Sequence, residues 1–368
     1  MIKPAMQWLT SGESSPITSP LKIMGPCSAE SEEQILEAAA MARDAGAHMF
    51  RAGVWKPRSR PNSFQGMGSY ALPWLKRVQQ EYHMPVCTEA ANPHHVEMAI
   101  QSGLDAVWIG ARTMTNPFAV QELAESLKGT KLGILIKNPI NPDLELWCGG
   151  IERIIQHTAS EKLLAIHRGF SVYRPRVYRN TPMWEIPIEL RRRYPKLSVI
   201  CDASHIAGEK KLIYQVVQTA LNLDFDGFML EIHPNPEKAK SDAQQQLNAE
   251  DLKTLLSKLV FRKPISEDPD FNANLEALRY DIDQLDREIL SMISTRMDVV
   301  REIGKYKKAN QVTVLQFERW KQMMESRSMS SEELLLSSEF IERFMQLIHK
   351  EAILHQNKIM NENGDQNS

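Results

Sequence analysis

The sequence has 368 residues and a formal net charge of −2. This length allows more than one domain, and the near-neutral charge excludes a global basic field that would bind nucleic acid or membranes. The four cysteines are scattered without a CxxC pair, so neither a disulfide framework nor a zinc ribbon is expected. Residues 1–20 lack the apolar core of a signal peptide, and no run reaches the length of a membrane helix. The composition therefore predicts a soluble cytoplasmic protein with a short N-terminal extension.

From Leu21 to about Arg262, short apolar runs alternate with turns and amphipathic stretches. The runs are Leu21–Met24, His48–Val54, Pro85–Thr88, Ala106–Ile109, Leu132–Ile136, Leu163–Ile166, Leu197–Ile200 and Gly227–Leu230. Eight strand–helix units in roughly 240 residues are typical of a (β/α)₈ TIM barrel. A doubly wound α/β sheet is the alternative, but no glycine-rich dinucleotide turn follows the first run.

Basic residues gather where the predicted strands end. They are Arg51, Lys56, Arg58, Arg112, Lys137 and Arg168. In a barrel the carboxyl ends of the strands meet at one face, so these cations converge. The stretch Phe50–Ser59, read alone, could be a solvated basic loop, but the convergence predicts a site for a small, highly charged anion.

A second set of strand-end residues has the chemistry of metal ligands. It consists of Cys27, His205, Glu231 and Asp242. Taken singly, these are typical of a buried cysteine, a core histidine and surface carboxylates. Their shared position at the barrel face favours a site for a divalent transition metal. His233 is a competing ligand that spacing alone does not exclude.

After Arg262 the pattern changes to long helices. Residues 263–272 form a predicted linker, 273–360 a helical domain and 361–368 a disordered tail. The apolar residues with helical spacing are Leu275, Leu278, Ile282, Leu285, Ile289 and Met292. A shorter helix is expected around Phe317–Arg327 and a third from about Ser331 to Asn357.

Two cations on the long predicted helix share a face. Arg296 and Lys307 lie about 20° apart on a helical wheel at roughly 100° per residue, whereas Arg279 lies about 100° away. Arg296 and Lys307 should therefore point the same way, and Arg279 should address a different helix, on this chain or a second one. A helical dimerisation hairpin is the alternative for this part of the chain.

Six motifs carry a family resemblance. They are Gly25-Pro26-Cys27-Ser28, Lys56-Pro57-Arg58-Ser59, Gly110-Ala111-Arg112-Thr113, Lys137-Asn138-Pro139, His167-Arg168-Gly169 and Asp202-Ala203-Ser204-His205. With them, residues 21–262 resemble the barrel of 3-deoxy-D-arabino-heptulosonate 7-phosphate (DAHP) synthase of the short Iβ type. Octulosonate 8-phosphate synthases are similar but have a Lys-Ala-Asn-Arg pattern in place of Lys-Pro-Arg-Ser, so the heptulosonate type is indicated.

The resemblance implies condensation of phosphoenolpyruvate with erythrose 4-phosphate, the first step of the shikimate pathway to aromatic amino acids. It implies that phosphoenolpyruvate is bound by Arg51, Lys56, Arg112, Lys137 and Arg168, and erythrose 4-phosphate by Arg58 and Ser59. Lys56 would also give a proton to the aldehyde oxygen. A divalent metal would be held by Cys27, His205, Glu231 and Asp242, with Mn²⁺ expected and Fe²⁺, Co²⁺ or Zn²⁺ as alternatives. A Schiff-base aldolase using Lys137 is a competing hypothesis.

Residues 273–360 resemble the all-helical AroQ-type chorismate mutase, which converts chorismate to prephenate. The matched positions are Arg279, Arg296, Lys307, Arg319 and Gln356, with Lys307 and Gln356 implied as catalytic donors to the ether oxygen. Gln316 and Trp320 stand where the family usually has acidic residues, and Ala352 where serine is common. The resemblance implies a homo-oligomer, at least a dimer. A further hypothesis is that this domain binds prephenate or chorismate mainly as an effector that inhibits the barrel.

Overall fold

The structure is a computed structural model that describes residues 20–56, 62–158, 162–173, 177–328 and 334–361, with the side chains of 324–328 left out. The chain separates into two compact units, Met1–Pro264 and Ile265–Ser368. Most of the predicted extension 1–20 and of the predicted tail 361–368 lies outside the described residues. The predicted boundaries of the barrel, linker and helical domain stay predictions.

The first unit is a closed barrel of eight parallel strands in chain order. The strands are β1 Leu21–Gly25, β2 Met49–Arg51, β3 Val86–Ala90, β4 Ala106–Ile109, β5 Gly133–Lys137, β6 Leu163–His167, β7 Ser198–Asp202 and β8 Gly227–Glu231. The barrel closes where β8 pairs with β1, in the register Leu21 with Gly227 through Gly25 with Glu231. The TIM-barrel prediction is therefore confirmed, and the doubly wound alternative is wrong.

The second strand is shorter than the apolar run predicted. The run covers residues 48–54, whereas β2 ends at Arg51. Beyond that point pairing is irregular, because the amide of Ala52 donates to the carbonyl of Cys87 at 3.1 Å and Gly53 forms an isolated bridge with Ser28. The chain thus leaves the sheet where the cationic stretch begins.

Alternate strand residues form two buried layers, as the two-residue period of a strand requires. One layer fills the barrel interior and comprises Leu21, Ile23, Met49, Cys87, Ala106, Trp108, Leu135, Leu164, Ile166, Ile200 and Met229. The other layer faces the surrounding helices and includes Phe50, Val107 and Cys201. The interior is therefore packed, and ligands can bind only at the barrel ends.

The helices of the barrel unit are α1 Glu32–Asp44, α2 Leu72–Tyr82, α3 Pro93–Gln101, α4 Pro117–Ser126, α5 Leu144–Ile155, α6 Glu185–Arg193, α7 Ala203–Ala207, α8 Lys210–Asn222 and α9 Ala249–Lys258. Short helix α7 follows β7 directly and carries His205 at the barrel face. Among the described residues, no helix combines the length and apolarity needed to cross a membrane.

The second unit contains helices α10 Pro269–Ala309, α11 Phe317–Ser328 and α12 Ser338–Asn361. Helix α10 begins inside the predicted linker because Asp268 caps it, accepting from the amides of Asp270 and Phe271. Helix α12 begins later than the predicted Ser331, at a point where Ser337 accepts from the amide of Phe340.

A small apolar core joins α10 to α12 within this unit. Met297, Val300 and Ala352 are buried there, and Ile293 and Ile348 pack against them. Much of the predicted apolar seam of α10 lies outside that core. Its exposed members are Leu278, Ile282, Leu285, Ile289 and Met292, each exposed by half or more.

Candidate active site

The predicted cations and metal ligands of the described strand ends meet at the C-terminal face of the barrel. Trp108 of β4 lies beneath two of them. The guanidinium of Arg51 lies 4.6 Å from the Trp108 ring centroid and the Lys137 ammonium 5.6 Å from it. The indole stacks favourably with cations and separates the polar face from the packed interior. The face therefore has an apolar floor and charged walls.

Three of the four predicted metal ligands lie within reach of a single ion. Cys27, Glu231 and Asp242 each place a donor atom within 4.8 Å of the others. Cys27 Sγ is 3.3 Å from Asp242 Oδ2. A thiol and two carboxylates are donors that suit divalent transition metals, so these residues fit such an ion.

His205, the fourth predicted ligand, lies beside this group without being a member of it. Its Nδ1 is 2.9 Å from Asp202 Oδ2 and 3.8 Å from Glu231 Oε1. Because the Asp202 carboxylate can only accept, Nδ1 carries the proton and Nε2 keeps the lone pair that a metal requires. Burial lowers the pKa of His205, which favours this neutral form.

His233, the competing ligand, belongs to a different network. Its Nδ1 accepts from the amide of Asn235 at 3.0 Å, and its Nε2 lies 3.8 Å from Glu30 Oε2. Glu30 in turn accepts from Ser28 Oγ and from the amide of Lys240. These contacts direct the His233 ring toward Glu30.

The protonation states of the candidate ligands differ. Burial raises the pKa of the Cys27 thiol to about 12, and the Glu231 carboxylate adds to this effect. Burial opposes ionisation of Glu231 and Asp242 as well, but the neighbouring imidazole and guanidinium groups outweigh it. His205 and Arg51 lower the pKa of Glu231, while His205 and Arg179 lower that of Asp242. At neutral pH the carboxylates are therefore charged and the thiol retains its proton until a cation displaces it.

Three of the predicted phosphoenolpyruvate cations are paired within the protein. Arg51 Nη1 donates to Glu231 Oε1 at 2.5 Å. Lys137 Nζ donates to Asp202 Oδ2 at 2.8 Å. Both pairs are almost fully buried. Because Lys137 is held as an ion-pair partner, it is not a free amine nucleophile, which speaks against the Schiff-base hypothesis.

Lys56 is the third of these cations and lies at the metal end of the site. Its Nζ donates to the carbonyl of Cys27 at 3.0 Å and to Cys27 Sγ at 3.1 Å. The side chain thus places a proton donor next to the candidate ligand group. This position suits proton transfer to an oxygen that develops charge beside the metal.

The predicted anion-binding side of the site is centred on Arg168. Burial, together with the neighbouring charges of Arg179 and Arg112, lowers the pKa of Arg168 to about 10. Three guanidinium groups close enough to disfavour one another are stabilised when an anion binds among them. Arg112 is exposed, while Arg58 and Ser59 lie outside the described residues.

Several residues of the site were not assigned a role from the sequence. Asp202 pairs with Lys137 and His205, Gln245 donates to Glu231, and Arg179 donates to Asp242. Asp202 could have been found, because it directly follows an apolar run and is part of a quoted motif. Arg179 comes from a loop and Gln245 from a three-residue 3-10 helix, and neither is marked by a periodic pattern.

The helical unit brings together some of the predicted mutase residues. Burial lowers the pKa of His349, and the positive charges of Arg296 and Lys307 add to this effect, so the three groups are neighbours. His349 stacks on Trp320 with ring centroids 3.9 Å apart. Gln356 is buried on α12. Two cations and an aromatic pair thus lie together at the candidate mutase pocket, and Gln356 lies on the same helix as His349.

Arg279 and Arg319 are the mutase positions that stay apart from these contacts. Arg279 Nη1 pairs with Glu276 Oε1 on the same helix, at 2.5 Å, and is exposed. Arg319 is also exposed. Within the pocket, Lys307 Nζ donates to the carbonyl of Val314 at 2.6 Å. The expectation that Arg279 addresses another helix stays a prediction.

Comparisons with known proteins agree with this geometry. The phospho-2-dehydro-3-deoxyheptonate aldolase of Thermotoga maritima is 30% identical over 237 residues, which cover 64% of this chain and 68% of the relative. The 2-dehydro-3-deoxyphosphooctonate aldolase of Geotalea daltonii is 28% identical over 258 residues, covering 64% and 90%. The crystal structure of the Thermotoga maritima DAHP synthase superposes with a TM-score of 0.60 at 28% identity, covering 67% of this chain and 70% of that one.

Two family models divide the chain as the fold does. The model described as the DAHP synthetase I family matches residues 16–264, which include the whole barrel. The model for chorismate mutase type II matches residues 278–357, within the helical unit. The chain therefore belongs to the DAHP synthetase I family and carries a type II chorismate mutase domain after its barrel.

Proposed function

We propose that the barrel condenses phosphoenolpyruvate with erythrose 4-phosphate to give DAHP and phosphate, and that the helical unit converts chorismate to prephenate. The observation that supports the first activity best is the convergence of the Cys27–Glu231–Asp242 group with buried cations at one barrel face. The supporting observation for the second is that Arg296 and Lys307 lie near His349, which stacks on Trp320.

Phosphoenolpyruvate, with its carboxylate and phosphate, would bind among Arg51, Lys56, Arg112, Lys137 and Arg168. Arg168 and Arg112 are the groups whose repulsion an anion would relieve. Arg51 uses one nitrogen for Glu231, and its buried Nε has no partner among the described residues, which leaves a donor for substrate. Burial of Arg51 and Lys137 strengthens their contacts relative to water.

Erythrose 4-phosphate would bind through its phosphate to Arg58 and Ser59. This assignment rests on the Lys-Pro-Arg-Ser sequence. The sugar's aldehyde would then lie near Lys56, whose ammonium is in place beside Cys27. The enol carbon of phosphoenolpyruvate would form a bond to the aldehyde carbon as the C=O π bond opens, and Lys56 would protonate the resulting alkoxide. Water would add at the second carbon and lose a proton to solvent, and cleavage of the bond from that carbon to the phosphate oxygen would then release phosphate and leave a ketone.

A divalent metal, expected to be Mn²⁺, would be held by Cys27, Glu231, Asp242 and the Nε2 atom of His205. When bound, it would supply Lewis acidity toward the aldehyde oxygen. The protein contributes the arrangement of donors around it. Arg51 and Gln245 fix the two oxygens of Glu231, and Asp202 fixes the His205 ring. Such outer contacts hold ligands in the orientation that metal binding needs.

The mutase reaction would depend on positioning and charge. It is a rearrangement of a dianion without a covalent intermediate, so holding both carboxylates and stabilising the breaking ether bond are the means of catalysis. Arg296 would hold a carboxylate, Lys307 and Gln356 would donate to the ether oxygen, and Arg319 would contribute charge. Arg279 would come from a second copy of the chain.

Oligomer formation and feedback control belong to the same proposal. The exposed apolar seam of α10 favours a dimer of helical units, because apolar stripes of this length are usually covered. Gln316 and Trp320 replace acidic residues, so the pocket keeps its cations but loses acceptors for the substrate hydroxyl. This favours binding of prephenate or chorismate as an inhibitor of the barrel alongside mutase activity.

The test is to assay both reactions in one preparation, with and without a chelator. DAHP formation should fall to background on chelation and return with Mn²⁺, whereas chorismate conversion should be unchanged and serves as the internal control. Retention of DAHP formation in metal-free protein would contradict the role of the Cys27–Glu231–Asp242 group.

A further inference from the structure

Two consecutive loop residues, Arg179 and Asn180, are fixed onto the short helix that carries His205. The amide of Arg179 donates to the carbonyl of Ala207 at 3.4 Å, and that of Asn180 to the carbonyl of Ile206 at 3.2 Å. Gly208 makes this approach possible, because a Cβ at Gly208 would lie 2.4 Å from the Cβ of Arg179. The backbone is therefore built to bring this dipeptide against α7.

The Arg179 side chain extends from this position to the loop after β8. Its Nη1 donates to Asp242 Oδ1 at 3.0 Å and to Gln245 Oε1 at 2.9 Å. The other carboxylate oxygen, Oδ2, is the one that faces Cys27. Arg179 thus holds Asp242 by the oxygen that is turned away from the thiol and leaves the other oxygen for a cation.

Arg179 also acts on Glu231 through an intervening amide. Gln245 Nε2 donates to Glu231 Oε2 at 2.6 Å. A guanidinium can only donate and a carboxylate can only accept, so the two neighbours allow just one orientation of the Gln245 amide. Arg179 therefore specifies the hydrogen bond that fixes Glu231.

Asn180 makes a parallel arrangement on the anion-binding side. Its Oδ1 accepts from Arg168 Nη1 at 2.9 Å, and its Nδ2 donates to the carbonyl of His205 at 2.6 Å. Here too the amide has one permitted orientation, because the arginine can only donate and the carbonyl can only accept. Asn180 therefore couples the position of Arg168 to that of the His205 backbone.

We propose that Arg179 and Asn180 are positioning residues that hold the metal-binding and anion-binding halves of the site in register. Arg179 orients two carboxylates of the ligand group, and Asn180 orients the half-buried Arg168 among the predicted anion-binding cations. Neither residue need touch substrate. The Asn180 part rests on the proposed function of Arg168, whereas the Arg179 part rests only on the ligand group.

The competing effect is electrostatic. Arg179 carries a positive charge near a cation site, so its removal would relieve repulsion as well as disorder the ligands. Partners of this kind typically change metal affinity about 10–100-fold when removed, whereas exposed charges are screened by solvent. Since the Arg179 side chain is 48% exposed and Asp242 only 16%, orientation should dominate over repulsion.

The first experiment measures Mn²⁺ binding to metal-free protein without substrates, by the electron paramagnetic resonance signal of free Mn²⁺. Arg179→Met should raise the Mn²⁺ dissociation constant about 10-fold or more. Gln245→Leu should weaken Mn²⁺ binding too. The double variant should lose less Mn²⁺-binding free energy than the sum of the losses in the two single variants, because both residues act on Glu231. Arg77→Met, which breaks the exposed pairs of Arg77 with Glu32 and Glu81, is the matched control and should bind Mn²⁺ as the unchanged protein does.

Unchanged or tighter Mn²⁺ binding by Arg179→Met would overturn the positioning role of Arg179. Co²⁺ absorption provides an independent readout, since the intensity of the thiolate charge-transfer band at saturating Co²⁺ depends on how the folded site holds the ion. An unaltered Co²⁺ spectrum together with equal affinity would count against the proposal whatever the enzyme activity.

The second experiment separates the Asn180 role by steady-state kinetics at saturating Mn²⁺. Asn180→Leu, which removes the acceptor of Arg168, should raise the KM for phosphoenolpyruvate at least several-fold with a smaller change in kcat, whereas Arg77→Met should leave the KM unchanged. Equal KM values for both variants and the unchanged protein would contradict the link to Arg168. The Arg179 role would still be decided by the Mn²⁺ measurements, because they involve no substrate.

Discussion

Lowering the pH from 7 to 4.5 should destabilise the barrel through one buried imidazole. His167, at the end of β6, is fully buried against Trp147, Phe170, Trp184 and Phe225. Burial lowers the pKa of His167 to about 3, and the adjacent Arg168 charge adds to the effect. The unfolded chain, with an ordinary histidine pKa of about 6.5, binds the proton throughout most of this interval while the folded barrel does not.

The sign and size of the change in unfolding free energy follow from this difference in proton binding between the folded and unfolded states. Because the folded pKa is depressed, the stabilising effect of neutral His167 is complete above about pH 6.5 and is lost progressively as the pH falls toward the folded pKa. At pH 4.5, two units below the unfolded pKa, the free energy of unfolding is about 2.5 kcal/mol lower than at pH 7. This is a large share of the stability of an ordinary domain.

The assay is urea unfolding at pH 7 and pH 4.5, followed by tryptophan fluorescence, since Trp147 and Trp184 flank the imidazole. The control is His167→Phe, which fills the same aromatic site without a titratable group. The other titratable groups are present in both proteins. Between pH 7 and pH 4.5 the free energy of unfolding should therefore fall by about 2.5 kcal/mol more in the unchanged protein than in the variant. Equal losses would refute the reasoning, because they would mean that folded His167 accepts a proton.

Two further predictions concern the helical unit. Replacing Leu285 and Ile289 with aspartate on the exposed seam should halve the particle mass measured by light scattering and abolish mutase activity; an unchanged mass would rule out this seam as the interface. Arg296→Gln in the intact protein should remove inhibition of DAHP formation by prephenate, whereas Arg301→Gln, on the same helix, should not. Equal inhibition of both variants would contradict an effector role for the pocket.

The barrel was predictable because its strands are buried on both faces. Parallel strands surrounded by helices read as continuous apolar runs, and each run here coincides with a strand to within a few residues. The exception is β2, whose run extends past Arg51. Local hydrophobicity cannot distinguish regular pairing from the irregular contacts of Ala52 and Gly53, since both are buried.

The site was only partly predictable from the sequence. Residues at or near strand ends were predicted, whereas Arg179 and Gln245 in the connections were not. Glu231 ends a strand, and Cys27 lies two residues past the end of β1, so fold and strand rhythm place both. Arg179 comes from a loop that docks onto α7, and Gln245 from a three-residue 3-10 helix that follows the left-handed backbone of Asp242, with φ of 46°. Such tertiary contacts leave no period in the sequence.

The charges at the barrel face show why a count of strand-end cations overestimates what is free to bind substrate. Arg51 balances Glu231, a candidate metal ligand, and Lys137 balances Asp202, which contacts His205. Leaving either carboxylate buried without its partner would cost several kcal/mol, on the order of 3–5. Arg51 and Lys137 therefore stabilise the folded barrel through these ion pairs even when no ligand is bound. Arg168 differs, because it donates to neutral acceptors and its pKa is lowered, so the net attraction for an anion is concentrated there.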